Sequence, residues 1–408
     1  MNNITSYLKN STIEHQNPSS FSGFENDDNI TDDEELNNIN YGVSRFKNIM
    51  GITCYINSIL HILQQLPIFS HYITQAKFRD VLIEKINKLE QNNPILNKKD
   101  ILQEFVVFEL FKLFKISLET DDTIITPSTF KTLIGEKNDI WNEYKHQDSQ
   151  EFFTFLISQL EEEVGTKCFY LPGLNYDTGY KNNILHSLKN TIALDTWFKF
   201  QLREYSPLKN MFNGLLQNNC KCMCCGTISS RYEPFITLPL SIPIKSINDI
   251  DKKYSIYDCL DHLILEEQLD IDNKINCDMC GLYNQGYNKI FLWQTPKILV
   301  IHIKRFLTNT EKITNSIEYP INNLDLSKYF DNDSLHKNNC TYNLVGINIH
   351  ESIGYENNID SGHYVSIIKN IINNNWYLYN DASPVKEIIN EKDLQTNNAY
   401  MLFYMRHS

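Results

Sequence analysis

No run of apolar residues in this chain approaches the length needed to cross a bilayer, and no apolar secretory segment opens it. A membrane or secreted protein is therefore not expected. The ten cysteines are expected to stay reduced rather than to form a disulfide framework, as in a cytoplasmic or nuclear protein. Basic residues are outnumbered, 37 Lys and Arg against 50 Asp and Glu. The resulting net charge of −13 argues against nonspecific nucleic-acid binding. No internal repeat is visible beyond one doubled cysteine motif, which excludes a solenoid or propeller. What is present is 408 residues, 42% hydrophobic and 12% aromatic, more than one ordinary domain and ample for a sizeable core.

Composition divides the chain. Residues 1–41 are rich in Asn, Ser, Asp and Glu and include the acidic run Asp27–Glu35. So little apolar surface cannot offset the entropy of ordering, and a disordered tail is expected. Residues 45–165 show mainly helical periodicity, and from Phe212 onward alternating segments such as Phe235–Pro243 turn to β. Ile298–Lys304 reads as a buried strand, with further strands at Tyr342–His350, Tyr364–Lys369 and Ala399–Arg406. A helical lobe against a β lobe predicts an α+β fold with a cleft between them.

Two segments far apart in sequence carry nucleophile chemistry. Cys54 opens an apolar helix pattern, Ile56, Ile59, Leu60, Leu63 and Leu66, with Thr53 as candidate N-cap and Pro67 as the stop. A helix N-terminus favours the thiolate, the reactive form of a cysteine. Ser361-Gly-His-Tyr364 leads into one β-like run, and Trp376-Tyr-Leu-Tyr-Asn-Asp381 follows an Asn-rich turn. A hairpin there would bring His363 near Asn380 or Asp381. Cysteine, histidine, then Asn or Asp is the order of a thiol-catalytic triad, with either Asn380 or Asp381 fixing the imidazole.

A metal signature is separate from these. Cys222-Met-Cys-Cys225-Gly226 and Cys277-Asp-Met-Cys280-Gly281 are paired C-x-x-C-G knuckles suited to a structural four-thiolate Zn2+. Each glycine would let the chain fold back under the metal. Cys220 and Cys224 compete on the first side, but only Cys222 and Cys225 repeat the pattern. The long separation makes Arg231–Asn276 an excursion of its own.

Taken together, these motifs resemble the ubiquitin-specific proteases, papain-like cysteine peptidases that remove ubiquitin. The resemblance rests on Gly51–Pro67, His146-Gln-Asp-Ser-Gln-Glu-Phe-Phe153, Pro296–Phe306, Ser361–Tyr364 with Trp376–Asp381, and Asn398–Arg406. It implies a catalytic domain over 42–406, with a helical thumb at about 45–165 and zinc-bearing β fingers at about 205–295. The remainder would be a β-rich palm. It also implies cleavage after ubiquitin's last glycine by Cys54, His363 and Asn380, with Asp381 as a neighbouring candidate. Asp148 and Tyr364 would line the channel for the ubiquitin tail, with an N-cap and a packed strand aromatic as their plainer roles. Ubiquitin and ubiquitinated proteins would be the partners, and the acidic balance suits a tail that carries arginines.

Two positions depart from the family pattern. An Asn usually stands five residues before the nucleophile, where its amide helps hold the oxyanion; here that position is Ile49, and Ile52 replaces a common Asn two before it. A one-residue bulge at Ile49–Met50 would restore Asn48 to that role. Without it the site would rely on backbone N–H groups, and losing one donor costs about 10²–10³ in rate. The alternatives are therefore a catalytically impaired ubiquitin-binding scaffold and, further off, a zinc-ribbon interaction protein with a structural Cys54.

Overall fold

A computed structural model describes residues 44–407, except 93–96, 121–122, 167–183, 204, 245–251, 271, 309–310, 353–361 and 371–372. The expected disordered tail and Ser361 lie outside the described residues. The helical lobe begins after β1 (Arg45–Phe46) with α1 (Cys54–Gln65), every residue of which is buried. Pro67 ends α1 but immediately begins α2 (Pro67–Thr74), because proline is well suited to a first helical turn. The lobe continues through α3 (Arg79–Asn92), α4 (Lys98–Gln103), α5 (Val106–Glu119), α6 (Ser128–Lys137) and α7 (Ser149–Val164). A short strand β2 (Ile124–Ile125) within it pairs parallel to β1.

Local sequence explains the joints of this lobe. Phe105 precedes α5 and has no side chain able to cap it. The Glu163 carboxylate of α7 does so instead, accepting the Val106 and Val107 N–H groups at 2.9 and 2.8 Å. That contact satisfies two orphan donors and locks α5 to α7. In α7 the stripe Phe152, Leu156, Leu160 and Val164 is buried, each such side chain contributing about 1.5–3 kcal/mol.

Beyond α8 (Ile184–Arg203) and α9 (Pro207–Phe212), the chain turns to β structure. β3 (Gly214–Cys222) and β4 (Ile228–Phe235) form an antiparallel pair, followed by β5 (Thr237–Ser241) and β6 (Tyr254–Ser255). After α10 (Ile256–Leu263) come β7 (Glu267–Gln268), β8 (Ile275–Cys277), β9 (Leu282–Asn284) and β10 (Gly286–Gln294). The order β4-β3-β10-β7 makes one four-stranded sheet, with the two cysteine knuckles at its end. The Arg231–Asn276 excursion is not confined to that extension. It runs through β5, which pairs parallel to a strand of the main sheet, and through α10 before returning.

The main sheet is built from β11 (Ile298–Lys304), β15 (Leu324–Asp325), β16 (Thr341–Ser352), β17 (Gly362–Lys369), β18 (Trp376–Tyr379), β19 (Lys386–Ile388) and β20 (Ala399–Arg406), with β5 at one edge. Three short strands, β12 (Phe306–Thr308), β13 (Glu311–Lys312) and β14 (Ile317–Glu318), link β11 to β15. The order is β19-β18-β17-β16-β20-β11-β5, with β15 beside β16. Both faces are covered. Along β11, Ile298 and Val300 join the core shared with the helical lobe, while Leu299, Ile301 and Ile303 join a second core behind the sheet. This two-residue alternation between two cores explains why β11 reads as one continuous apolar run. Helix α1 packs against β17, so Cys54 and His363 meet where the helical and β lobes join.

Candidate active site

Cys54 is the first residue of α1 and is almost fully buried. The preceding loop closes on itself. The Thr53 N–H donates to Asn48 Oδ1 at 2.7 Å, and the Ile49 N–H donates to Thr53 Oγ1 at 2.8 Å. Thr53 is thus the N-cap by position, but its hydroxyl serves the loop and makes no cap hydrogen bond. Met50 and Gly51 both take left-handed backbone, φ 53° and 77°. For Met50 that conformation costs roughly 1–2 kcal/mol. It accommodates the extra residue between Asn48 and the nucleophile and turns the Asn48 side chain back toward the site.

His363 is the second residue of β17, and Asn380 follows β18, so the predicted hairpin joins them. Its Nε2 lies 2.8 Å from Asn380 Oδ1 and 3.7 Å from Asp381 Oδ2. With Nε2 directed at Asn380, Nδ1 is left for Cys54. Hydrogen bonding to Cys54 is the main cause that raises the imidazole to about 9, with Asn380 and Asp381 adding and burial opposing. Gly362 precedes it for a steric reason: a Cβ there would stand 1.9 Å from His350 Nε2.

Asp381 accepts two amides, Asn48 Nδ2 at 2.9 Å on Oδ2 and Asn57 Nδ2 at 2.8 Å on Oδ1. Asn57 was not among the residues expected from sequence. The available signal was its place one helical turn after Cys54, a polar residue on a helix buried all round. The structure therefore brings Cys54, His363, Asn380, Asp381 and Asn48 together, with Asn57 added.

Asp148 caps α7, accepting the Gln150 N–H at 2.6 Å and the Glu151 N–H at 3.3 Å; the Tyr400 hydroxyl also donates to it. The cap is one-sided, since Glu151 makes no return bond in it. Burial pushes the Asp148 carboxyl up, against the pull of those hydrogen bonds. Tyr364 alternates with His363 on β17 and is buried against His350 and Tyr400. Its packed position fits the plainer of its two expected roles.

Remote from these residues, Cys222, Cys225, Cys277 and Cys280 bring their sulfurs within 4.8 Å of one another, a group that could hold a metal ion. The two knuckles are built alike. Gly226 N–H donates to the Cys222 carbonyl at 2.9 Å and Gly281 N–H to the Cys277 carbonyl at 2.8 Å. Both glycines are left-handed, φ 72° and 65°, the backfold expected of them. Cys224 is exposed and Cys220 lies beside Asn288, so neither joins the cluster.

The family model described as ubiquitin carboxyl-terminal hydrolase matches residues 45–404. Ubiquitin carboxyl-terminal hydrolase 2 of Gallus gallus is 30% identical over 307 residues, 74% of this chain and 79% of that protein. Its Bos taurus counterpart is 27% identical over 366 residues, 89% of this chain but 55% of the relative. The chain thus spans about half the length of the bovine protein. Among solved structures, the SAGA Ubp8/Sgf11/Sus1/Sgf73 DUB module bound to ubiquitin aldehyde superposes with a TM-score of 0.59 at 23% identity. That match covers 91% of this chain and 71% of the other, and shows a shared fold.

Proposed function

The chain belongs to the ubiquitin carboxyl-terminal hydrolase family, as a ubiquitin-specific protease, and we propose that it hydrolyses the isopeptide or peptide bond after the C-terminal glycine of ubiquitin by Cys-His-Asn thiol catalysis. The observation that carries this reading is the contact of His363 with both Cys54 and Asn380. His363 holds the thiol proton, and the Cys54 thiolate attacks the glycine carbonyl to form a tetrahedral oxyanion. As the intermediate collapses, the C–N bond breaks and His363 Nδ1 gives its proton to the departing lysine amine. The neutral imidazole then takes a proton from water, whose oxygen attacks the thioester and releases Cys54 and the ubiquitin carboxylate.

Asn380 orients the imidazole through Nε2, and Asp381 is too distant to replace it in that role. The Asn48 amide keeps one hydrogen on Asp381 and has a second for the oxyanion, beside the N–H groups at the start of α1. Asp148 serves the ubiquitin tail with its carboxylate, and Tyr364 supports that channel from the core. Ubiquitin and ubiquitinated proteins are the partners, in the cytoplasm or nucleus, without nucleic acid or membrane. Among the described residues no helix is long and apolar enough to cross a membrane. The catalytic domain is assigned to 42–406, with thumb, fingers and palm as bounded above.

The four-cysteine group fits a structural Zn2+. A tetrahedral zinc with Zn–S bonds of about 2.3 Å sets sulfurs about 3.8 Å apart. The pairs Cys222–Cys280 and Cys225–Cys277 stand at 3.9 and 3.5 Å, far too long for disulfides. The Cys225 N–H and the Asn284 amide draw the Cys222 thiol below its usual range, toward the thiolate that a metal requires. Bound there, zinc ties the two knuckles together at the end of the fingers and takes no part in the reaction.

A ubiquitin carrying a C-terminal electrophile tests the assignment. A single adduct on Cys54, absent from Cys54→Ala, is expected. An adduct on another cysteine, or ubiquitin binding without any adduct, would move the reading to the impaired scaffold.

A further inference from the structure

Lys312 is a lysine on β13 that the mechanism does not use, and only 6% of its surface is exposed. Its Nζ donates to the His350 carbonyl at 2.6 Å, to Ser352 Oγ at 3.2 Å and to Asn398 Oδ1 at 3.3 Å. All three acceptors are neutral. Burying an ammonium on such terms is costly, and an apolar side chain of similar shape would pack the same space without that cost.

The placement of the acceptors gives the ammonium a use. His350 and Ser352 flank Glu351, and Glu351 is the residue of β16 paired across the ladder with His363. His350 itself pairs with Tyr364, and Ser352 with Gly362. Asn398 closes the group, since its carbonyl accepts the His350 N–H at 3.1 Å just before β20 begins. One ammonium thus ties β13, the end of β16 and the start of β20 at the strand end opposite His363. Arg305 holds the same corner from the other side, donating to the Ala399, Ile313 and Asn315 carbonyls.

Resting on the Cys54–His363 reading, we propose that Lys312 is a positioning residue that fixes the end of β16 and thereby sets His363 against Cys54. The charged and titratable groups around it are Arg305, Glu351 and His350. Burial, with Arg305 adding and Glu351 opposing, pulls the ammonium down to about 8. A neutral amine has two N–H donors for three acceptors and turns a lone pair toward one of them. The hold therefore slackens as pH rises through that value.

The test follows the His363 ring resonance against pH by NMR, together with kcat and KM on a fluorogenic ubiquitin amide. Wild-type His363 should titrate at about 9, held there chiefly by its contact with Cys54. Lys312→Met should move that titration toward the ordinary imidazole value of about 6.5 and lower kcat about 10²-fold, the scale of a small misplacement, with KM little changed. Lys312→Arg should recover part of both. A Lys312→Met protein with the wild-type titration and kcat overturns the proposal. An ordinary imidazole titration in wild type overturns instead the Cys54–His363 reading on which it rests. Lys312→Gln serves where the methionine variant does not fold, with the same two outcomes.

Discussion

The Asn48 amide donates to Asp381 at 2.9 Å, joining the loop before the nucleophile to the strand end that carries Asn380. Asp381 also accepts from Asn57 in the first turn of α1, so one carboxylate registers three segments around Cys54. His363 stands closer to Asn380, 2.8 Å against 3.7 Å. In the proposed mechanism Asn380 would orient the imidazole, while Asp381 would hold the amide of Asn48. The offset of Asn48 in sequence is absorbed by one residue, Met50, in left-handed backbone.

Replacing Asp381 by Asn keeps its size and its tolerance of φ 47°, but turns one acceptor into a donor facing another amide. Asp381→Asn should therefore lower kcat by about 10²-fold, as loss of an oxyanion donor does, with little change in melting temperature. Unaltered turnover would remove the Asn48–Asp381 contact from the mechanism.

His363 is raised to about 9 chiefly by Cys54, so its imidazolium persists through neutral pH. Its folded value lies above the ordinary value of about 6.5. The stability it contributes is fully present below that value and is lost as pH rises through about 9. Turnover should decline over the same alkaline range as the leaving group loses its acid. In Cys54→Ala the largest raising contact is gone, and the His363 resonance should titrate lower by NMR. An unmoved titration would mean that the two side chains do not interact.

Glu161 on α7 is buried against Asn213, whose amide donates to it at 2.5 Å, and burial pushes its carboxyl up to about 7. In the unfolded chain it ionises near 4.3, so the folded state binds the extra proton between these values. Its charge then weakens the fold as pH rises from about 4.5 through 7. Glu161→Gln should remove that slope, and the variant should gain melting temperature over wild type at pH 8 but not at pH 5. Parallel curves for the two proteins would contradict the burial argument.

Cys277→Ser removes one of four thiolates and should abolish stoichiometric zinc, which metal analysis of the purified protein reads. Ubiquitin affinity should weaken as the finger tip loosens, while Cys54 stays reactive toward iodoacetamide because the cluster is remote from it. One equivalent of zinc retained by the variant would overturn the ligand set.

The elements legible in the sequence were those whose signal is local. The apolar spacing of α1, the buried apolar run of β11, the Asn-turn hairpin of β17 and β18, and the repeated knuckles all follow from patterns a few residues long. What escaped depends on partners far along the chain. Asn57 finds Asp381 across 324 residues, and Glu163 caps α5 across 57 and 56. Thr53 was expected to cap its own helix, but a loop folding back offered its hydroxyl a different donor. The course of β5 into the main sheet was hidden for the same reason, since a parallel pairing leaves no turn signature between neighbours.

The most direct test of the account is hydrolysis of a fluorogenic ubiquitin C-terminal amide by wild type and by Cys54→Ala. Turnover by the wild type that vanishes in the variant, with ubiquitin binding retained, is the predicted result. Equal turnover in both, or none in a folded wild type that binds ubiquitin, would contradict thiol catalysis at Cys54.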